Sequence, residues 1–223
     1  MKTLDRLLSG AADPSQPFVT YYDVSTGERV ELSTTTTANW VAKTSNFLVD
    51  ELDTVPGTRL RIGLPSHWLT MVWILSAWNV GAAIVDHDAA IGISGPELLA
   101  DEPHRLAASL RPLGGRFAQP PAGFLDLGAE VPGHGDHFVA LDPPAPHTLA
   151  LDLDGTRRTH ADVLAATTPS ADRLVVTPGP LSRDAELLAS ACLGGGSLVV
   201  VASASDDELA RVAQQEGGEP ART

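Results

Sequence analysis

Residues 68–85 read WLTMVWILSAWNVGAAIV, eighteen in a row without a charge, and no other stretch restricts the fold as much. A run of that length stands near the threshold for a membrane span. Thr70, Ser76 and Asn79 interrupt it, however, and Gly81 divides it into a helix and the short run AAIV at 82–85. An all-round apolar helix followed by a short apolar strand is what the middle of an α/β protein requires. RLRIGL at 59–64 precedes the helix and reads as a strand. Strand, helix and strand in that order make a crossover unit, which favours a parallel sheet. Trp68, Trp73 and Trp78 then belong to the core, because their neighbours are apolar.

Local signals extend this reading in both directions. FVTYYD (18–23) and ERVELS (28–33) are rich in β-formers and joined through Ser25-Thr26-Gly27, a hairpin pattern. Ser33 is placed to cap a helix to about Leu52, with Val41, Leu48 and Leu52 on its apolar side. Further on, IGIS (91–94) reads as a strand, and helical pieces are expected around Leu98 and Leu106–Leu110. Residues 114–146 are rich in Gly and Pro and read as loops with short strands, DPPAP (142–146) being a junction. Then come LALDL, a helix over His160–Ala166, the strand RLVVT (173–177), a helix over Asp184–Cys192, the strand SLVVV (197–201) and a helix over Asp206–Gln215. The tail GGEPART is expected to fray. The junction suggests two parts. Residues 1–145 would form a first α/β subdomain with the hairpin and the Pro/Gly-rich segment, and 146–223 a partial second one.

Charge narrows the function classes. With 15 basic against 28 acidic residues the formal charge is −13, and no run of Lys or Arg breaks the pattern, so neither nucleic acid nor an anionic membrane is an expected partner. Only Lys2 and Lys43 are lysines, a shortage for any chemistry on phosphate. Cys192 stands alone, which leaves no disulfide framework and no thiolate metal cluster. It lies in an apolar helix end and reads as a small core residue. Asp5 and Arg6 sit where a secretion signal would need apolar residues, so the expected location is cytoplasmic.

LALDLDGT (149–156) resembles the nucleophile motif of haloacid-dehalogenase-like phosphatases. That resemblance implies Asp152 as nucleophile and Asp154 as acid/base beside Mg²⁺, with Asp206-Asp207 as further ligands. Such chemistry needs a cation to balance phosphate, and no lysine follows Lys43. A second reading makes Asp154-Gly155 the two-residue turn of a hairpin, with Asp152 facing water between Leu151 and Leu153. A third keeps a ligand contact through Arg157 and Arg158. The hairpin has the strongest pattern behind it. HGDH (134–137) and DHD (86–88) offer imidazoles and carboxylates that can take zinc, but both lie in loops where polar residues need no function. No catalytic residue, metal site or cofactor is assigned, and a nucleotide site is left open.

The order of elements resembles the N-terminal domain of the adenylate-forming superfamily, the acyl-CoA synthetases and AMP ligases. The residues that carry this are ANWVAKTSNFLVDEL followed by VPGTRLRIGLPSHWLTMVWILSAWNVGAAIVDHD. Pro65-Ser66 stands at the family's Pro-Asn position and Gly81-Ala82-Ala83 at its Gly-Ala-Val position. THADVLA (159–165) sits like the Thr-His-x-x-Leu helix behind the family's phosphate loop, and VVTPGPLSRDAELLASACLGGGSLVVVA like its later strand, helix and Gly-Gly-x-Val strand. The chain resembles in particular the short actinobacterial members of this group, which have no assigned activity. The resemblance implies an α/β fold of parallel-sheet layers flanked by helices, built like a truncated N-terminal domain.

Departures from the family pattern bear on activity. Those enzymes hold pyrophosphate with a Ser/Thr/Gly-rich loop ending Pro-Lys-Gly, whereas Leu149–Thr159 offers only LALDLDGTRRT. The adenine-binding Tyr-Gly-x-Thr-Glu motif, the ribose-binding Asp and the domain with the catalytic lysine have no counterpart in these residues. The expectation is a non-catalytic protein, a pseudoenzyme that binds a partner or a small molecule. A homodimer or a stable protein partner is expected too, because LVVT and SLVVV are followed by a single helix and a parallel sheet needs cover on both faces.

Overall fold

The computed structural model describes residues 2–10 and 13–220. β1 (Pro17–Asp23) and β2 (Glu28–Ser33) pair antiparallel around a turn in which Gly27 takes a φ of 75°. The Ser33 hydroxyl accepts the Thr36 N–H at 3.1 Å and so caps α1 (Thr34–Asp50). β3 (Arg59–Gly63), α2 (Trp68–Val80) and β4 (Ala83–Val85) follow, with β3 and β4 parallel as the crossover pattern predicts. Trp68, Trp73 and Trp78 are at most 1% exposed, so α2 is a core helix. No helix of the described residues is long and apolar enough to cross a membrane. Gly81 ends α2 with a φ of 75°, and a Cβ there would stand 3.1 Å from both Pro56 and Pro144. Pro144 of the expected junction and Pro56 therefore pack against the end of this helix.

β5 (Ile91–Ser94) and β6 (His104–Ala107) run parallel to each other and to β3. Here the helices expected around Leu98 and Leu106–Leu110 are not found. Leu106 lies within β6 opposite Ile93, and Leu98 has a φ of 55°, which no α-helix contains. β7 (Leu125–Asp126) and the single turn α3 (Leu127–Glu130) lie within the Gly/Pro-rich segment. β8 (Leu149–Leu153) and β9 (Thr156–Thr159) form an antiparallel pair, and α4 (His160–Ala166) follows directly. The chain ends in β10 (Arg173–Val176), α5 (Leu181–Gly194), β11 (Ser197–Ala202), α6 (Asp206–Glu216) and the two-residue β12 (Glu219–Pro220). Of the tail expected to fray, residues 221–223 lie outside the described residues.

Contacts divide the chain into two units, and not at residue 145. Unit 1 comprises Met1–Arg6, Asn39–Leu64 and Val72–Ala166, and unit 2 comprises Leu7–Ala38, Pro65–Met71 and Thr167–Thr223. Unit 1 holds a seven-stranded sheet in the order β7-β6-β5-β3-β4-β8-β9, parallel except for the final hairpin. Unit 2 holds a five-stranded sheet in the order β12-β10-β11-β1-β2. Its centre is β11, which pairs parallel with β1 (Val19↔Leu198) and with β10 (Leu174↔Leu198).

The expectation that β10 and β11 lack cover is not met. Val175, Val199 and Val201 pack with Val212 and Ala213 of α6. On the alternate face Leu198 and Val200 are fully buried, and α5 packs against the same strand.

Candidate functional site

In LALDLDGT the structure shows a hairpin. Asp154 (φ 53°) and Gly155 (φ 70°) are the only residues between Leu153 and its partner Thr156. Two successive positive φ angles give the twist that a two-residue connection between strands needs. β8 turns straight back as β9, so no loop is presented there to a phosphate.

Asp152 does not face water. It is 5% exposed, and its Oδ2 accepts Arg59 Nη1–H at 3.2 Å. Arg59 also donates from Nε to the Asp88 carbonyl at 3.1 Å and from Nη2 to the His87 carbonyl at 3.0 Å. His87 Nε2 lies 3.8 Å from the same Asp152 oxygen. The expected alternation failed because every residue from Ala150 to Leu153 is buried, as in a strand covered on both faces. Asp152 is thus the internal counter-charge of a guanidinium that pins the 86–88 loop.

Asp154 takes part through its backbone. Its N–H donates to Asp86 Oδ2 at 2.9 Å, and Asp86 Oδ1 lies 2.5 Å from His87 Nδ1. The bond to His87, then the one from Asp154, holds the Asp86 carboxyl below its usual range. The DHD trio therefore braces the hairpin turn. Asp206 and Asp207 sit in the first turn of α6, in the other unit from Asp152. Arg157 and Arg158 lie on β9 opposite Asp152 and Leu151. Among the described residues no group of three or more His, Cys, Asp or Glu could hold a metal ion. The arrangement gives no support to phosphatase chemistry on Asp152 and Asp154.

HGDH likewise serves the fold. Lys43 Nζ donates to the Pro132 and His134 carbonyls at 3.2 and 2.6 Å and meets Asp136 at 2.8 Å. Asn46 Nδ2 donates to the Gly135 and His137 carbonyls at 2.9 and 3.0 Å. One face of α1 thereby fixes the loop by its backbone, and the chain's second lysine is committed there.

Sequence reasoning did not find a buried polar cluster in unit 2. Ser66 Oγ–H donates to Asp184 Oδ2 at 2.7 Å and accepts the Gly179 N–H at 3.0 Å. Burial pushes the Asp184 carboxyl up to about 6, against the opposing effects of Ser66 and Arg183. Next to Ser66, His67 Nδ1 accepts the Leu69 N–H at 3.2 Å and caps α2 in the way a Ser or Asp would. Its ring lies edge-on to Tyr21 at 4.3 Å, and burial lowers it to about 4. The position of Ser66 was visible in the Pro65-Ser66 pair; its partner 118 residues away was not.

Unit 2 also carries a cleft of about 580 Å³, walled by Leu7, Phe18, Ala171 and Leu193, with Arg173 and Cys192 among its polar lining. Cys192, read as a core residue, is half-buried, and burial pushes its thiol up, so it stays protonated. Arg173 is engaged, donating to Glu216 at 2.5 Å and Thr20 at 2.9 Å.

No family model matches the chain. It is 36% identical to the TIGR03089 family protein of Mycobacterium tuberculosis over 231 residues, which is 94% of this chain and 95% of that one. Among solved structures it is similar to a Brucella canis acyl-CoA synthetase, with a TM-score of 0.76 and 13% identity over 97% of this chain and 46% of that one. An Archaeoglobus fulgidus long-chain-fatty-acid-CoA ligase gives a TM-score of 0.72 and 13% identity over 97% and 50%. The inhibitor-bound N-terminal domain of FACL13 from Mycobacterium tuberculosis gives 0.70 and 15% over 97% and 61%. The fold is that of the N-terminal domain of acyl-CoA synthetases, and the chain spans about half the length of the full enzymes it matches.

Proposed function

The chain belongs to the TIGR03089 family, and we propose that it keeps an acyl-CoA synthetase-like fold as a binding module without adenylating a carboxylate. One observation carries this reading: Asp154 and Gly155 alone connect β8 to β9, where the resemblance calls for a phosphate-holding loop. A longer loop would offer several free N–H groups and a lysine to a polyphosphate. In this chain the Asp154 N–H is already taken by Asp86, and both side chains are acidic. Lys43 is bound to the 132–136 loop and no lysine follows it. Charge stabilisation of this kind contributes several kcal/mol to a transferring group, so its loss removes the reaction rather than slowing it slightly. The expected result is no carboxylate-dependent exchange of pyrophosphate into ATP with a panel of acyl substrates. Exchange above background with any of them refutes the proposal.

The unit 2 cleft favours a small molecule as what the module binds, since its size lies within the range of ligand sites. Thermal-shift measurements with ATP, AMP, CoA and acyl-AMP analogues test this. A shift that disappears in Cys192→Trp, which fills the cleft, supports it; no shift with any of the four counts against it.

A further inference from the structure

His160 opens α4 and is fully buried. Its own N–H donates to the Thr148 carbonyl at 3.0 Å, which fixes the root of the side chain. The ring's Nδ1 accepts the backbone N–H of Leu4 at 3.0 Å, across 156 residues of sequence. An accepting Nδ1 carries no proton, so the ring is the neutral Nε2–H tautomer. Nε2 is buried and has no hydrogen-bond partner. Leu4 itself is 1% exposed, and two residues further the Arg6 N–H donates to Asn79 Oδ1 at 3.0 Å. Lys2–Arg6 is therefore a strap latched onto unit 1 by two side-chain acceptors. The amide of Asn79 does not titrate; the imidazole of His160 does.

We propose that the Lys2–Arg6 strap is an acid-released latch: a proton taken from solvent by His160 Nδ1 sets two donors against each other and frees the segment from unit 1. Burial holds the latched ring at about 4, with Asp5 of the strap acting in the opposite direction. On the ring's own helix, Asp162 is turned back onto Thr159, whose N–H and hydroxyl donate to it at 2.9 and 2.7 Å. Once the strap leaves, the ring meets water and titrates near 6.5, the usual histidine value. Between those two values the released state binds the proton and the latched state does not. Release thus grows as pH falls, by about 50-fold between pH 7 and 4.5.

Hydrogen exchange of the Leu4 amide, followed by NMR on the whole chain and expressed as a protection factor, reads the latch directly. Wild type should lose about 50-fold of Leu4 protection between pH 7 and 4.5, while amides of β4 keep theirs. His160→Asn places a non-titrating acceptor near the Nδ1 position and should leave Leu4 protection flat with pH. A pH-independent wild type, or a variant with the wild-type pH dependence, overturns the proposal. Should the variant not fold, the His160 ring resonances of the wild type decide instead. They must titrate in step with the loss of Leu4 protection, and a ring that titrates without it also overturns the proposal.

Discussion

Asp152→Asn separates the two accounts of LALDLDGT. An aspartate facing water would tolerate the change within about 0.5 kcal/mol. In the structure the substitution removes the charge that Arg59 Nη1 meets at 3.2 Å. It offers the amide in its place, which keeps one acceptor oxygen. The Asp152 side chain is 7% exposed and the Arg59 side chain 27%. Losing one partner of a fully buried pair costs about 3–5 kcal/mol, and of an exposed pair about 0–1. Arg59 can recover some water and keeps its bonds to the Asp88 and His87 carbonyls, so the cost falls between these limits. About 2 kcal/mol is the central value, the usual size for a hydrogen bond to a charged group. In a chain of this length that lowers the midpoint of thermal unfolding by roughly 4–8 °C. Urea unfolding of wild type, Asp152→Asn, Arg59→Gln and the double variant measures the coupling as a double-mutant cycle. Coupling of roughly 1–2 kcal/mol is expected, given contact between the two groups. A stability change under about 0.5 kcal/mol for Asp152→Asn, with coupling near zero, would refute the buried-pair account.

Three further outcomes follow from the same geometry. Beyond its two chain neighbours, no atom lies within 4 Å of where a Cβ would stand on Gly155, so Gly155→Val should cost only its backbone strain at φ 70°, about 1–2 kcal/mol in urea unfolding; a neutral variant would show that the turn does not need its positive φ. His67 and His160, lowered to about 4, each lose roughly 3 kcal/mol of stability as pH falls from 6.5 to 4, because the unfolded chain takes up the proton first. Asp184, raised to about 6, acts the other way: its ionisation weakens the fold as pH rises from 3.8 through 6, so the two histidines should dominate and a stability flat from pH 7 to 4.5 would contradict this balance. With both faces of β11 covered within unit 2, light scattering at micromolar concentration should return the 23.3 kDa monomer, and twice that mass would locate an interface elsewhere on the chain.

The elements that sequence made legible announce themselves locally. Ser33 caps α1 within three residues, Gly81 stops α2, and Asp154-Gly155 sets its turn without help from elsewhere. β6 has no such signal. HRLA is four residues long with His104 and Arg105 exposed, and it is a strand because Ile91–Ser94 lies beside it in register. The division into units was equally hidden, since it depends on Val19 pairing with Leu198. That register joins the first hairpin to the last three strands and sets the residues between them in another sheet. No pattern within a window of a dozen residues contains it.

The candidate site was misread for a related reason. Alternation of Leu and Asp in LALDL implies a wet face only if the strand has one. β8 is buried along both faces, and the polar position is satisfied by Arg59 from 93 residues away. The same holds for Ser66 with Asp184 and for His160 with Leu4. In each case a polar side chain is placed by its own element and given its meaning by another. Asp-x-Asp-Gly-Thr therefore cannot by itself distinguish a nucleophile from a counter-charge, because the two differ in what approaches the first carboxylate. A nucleophile needs an open strand end and a free oxygen. Asp152 has Arg59 on its carboxylate and, one residue beyond it, a two-residue turn, so the motif specifies a hairpin and the charge that anchors it.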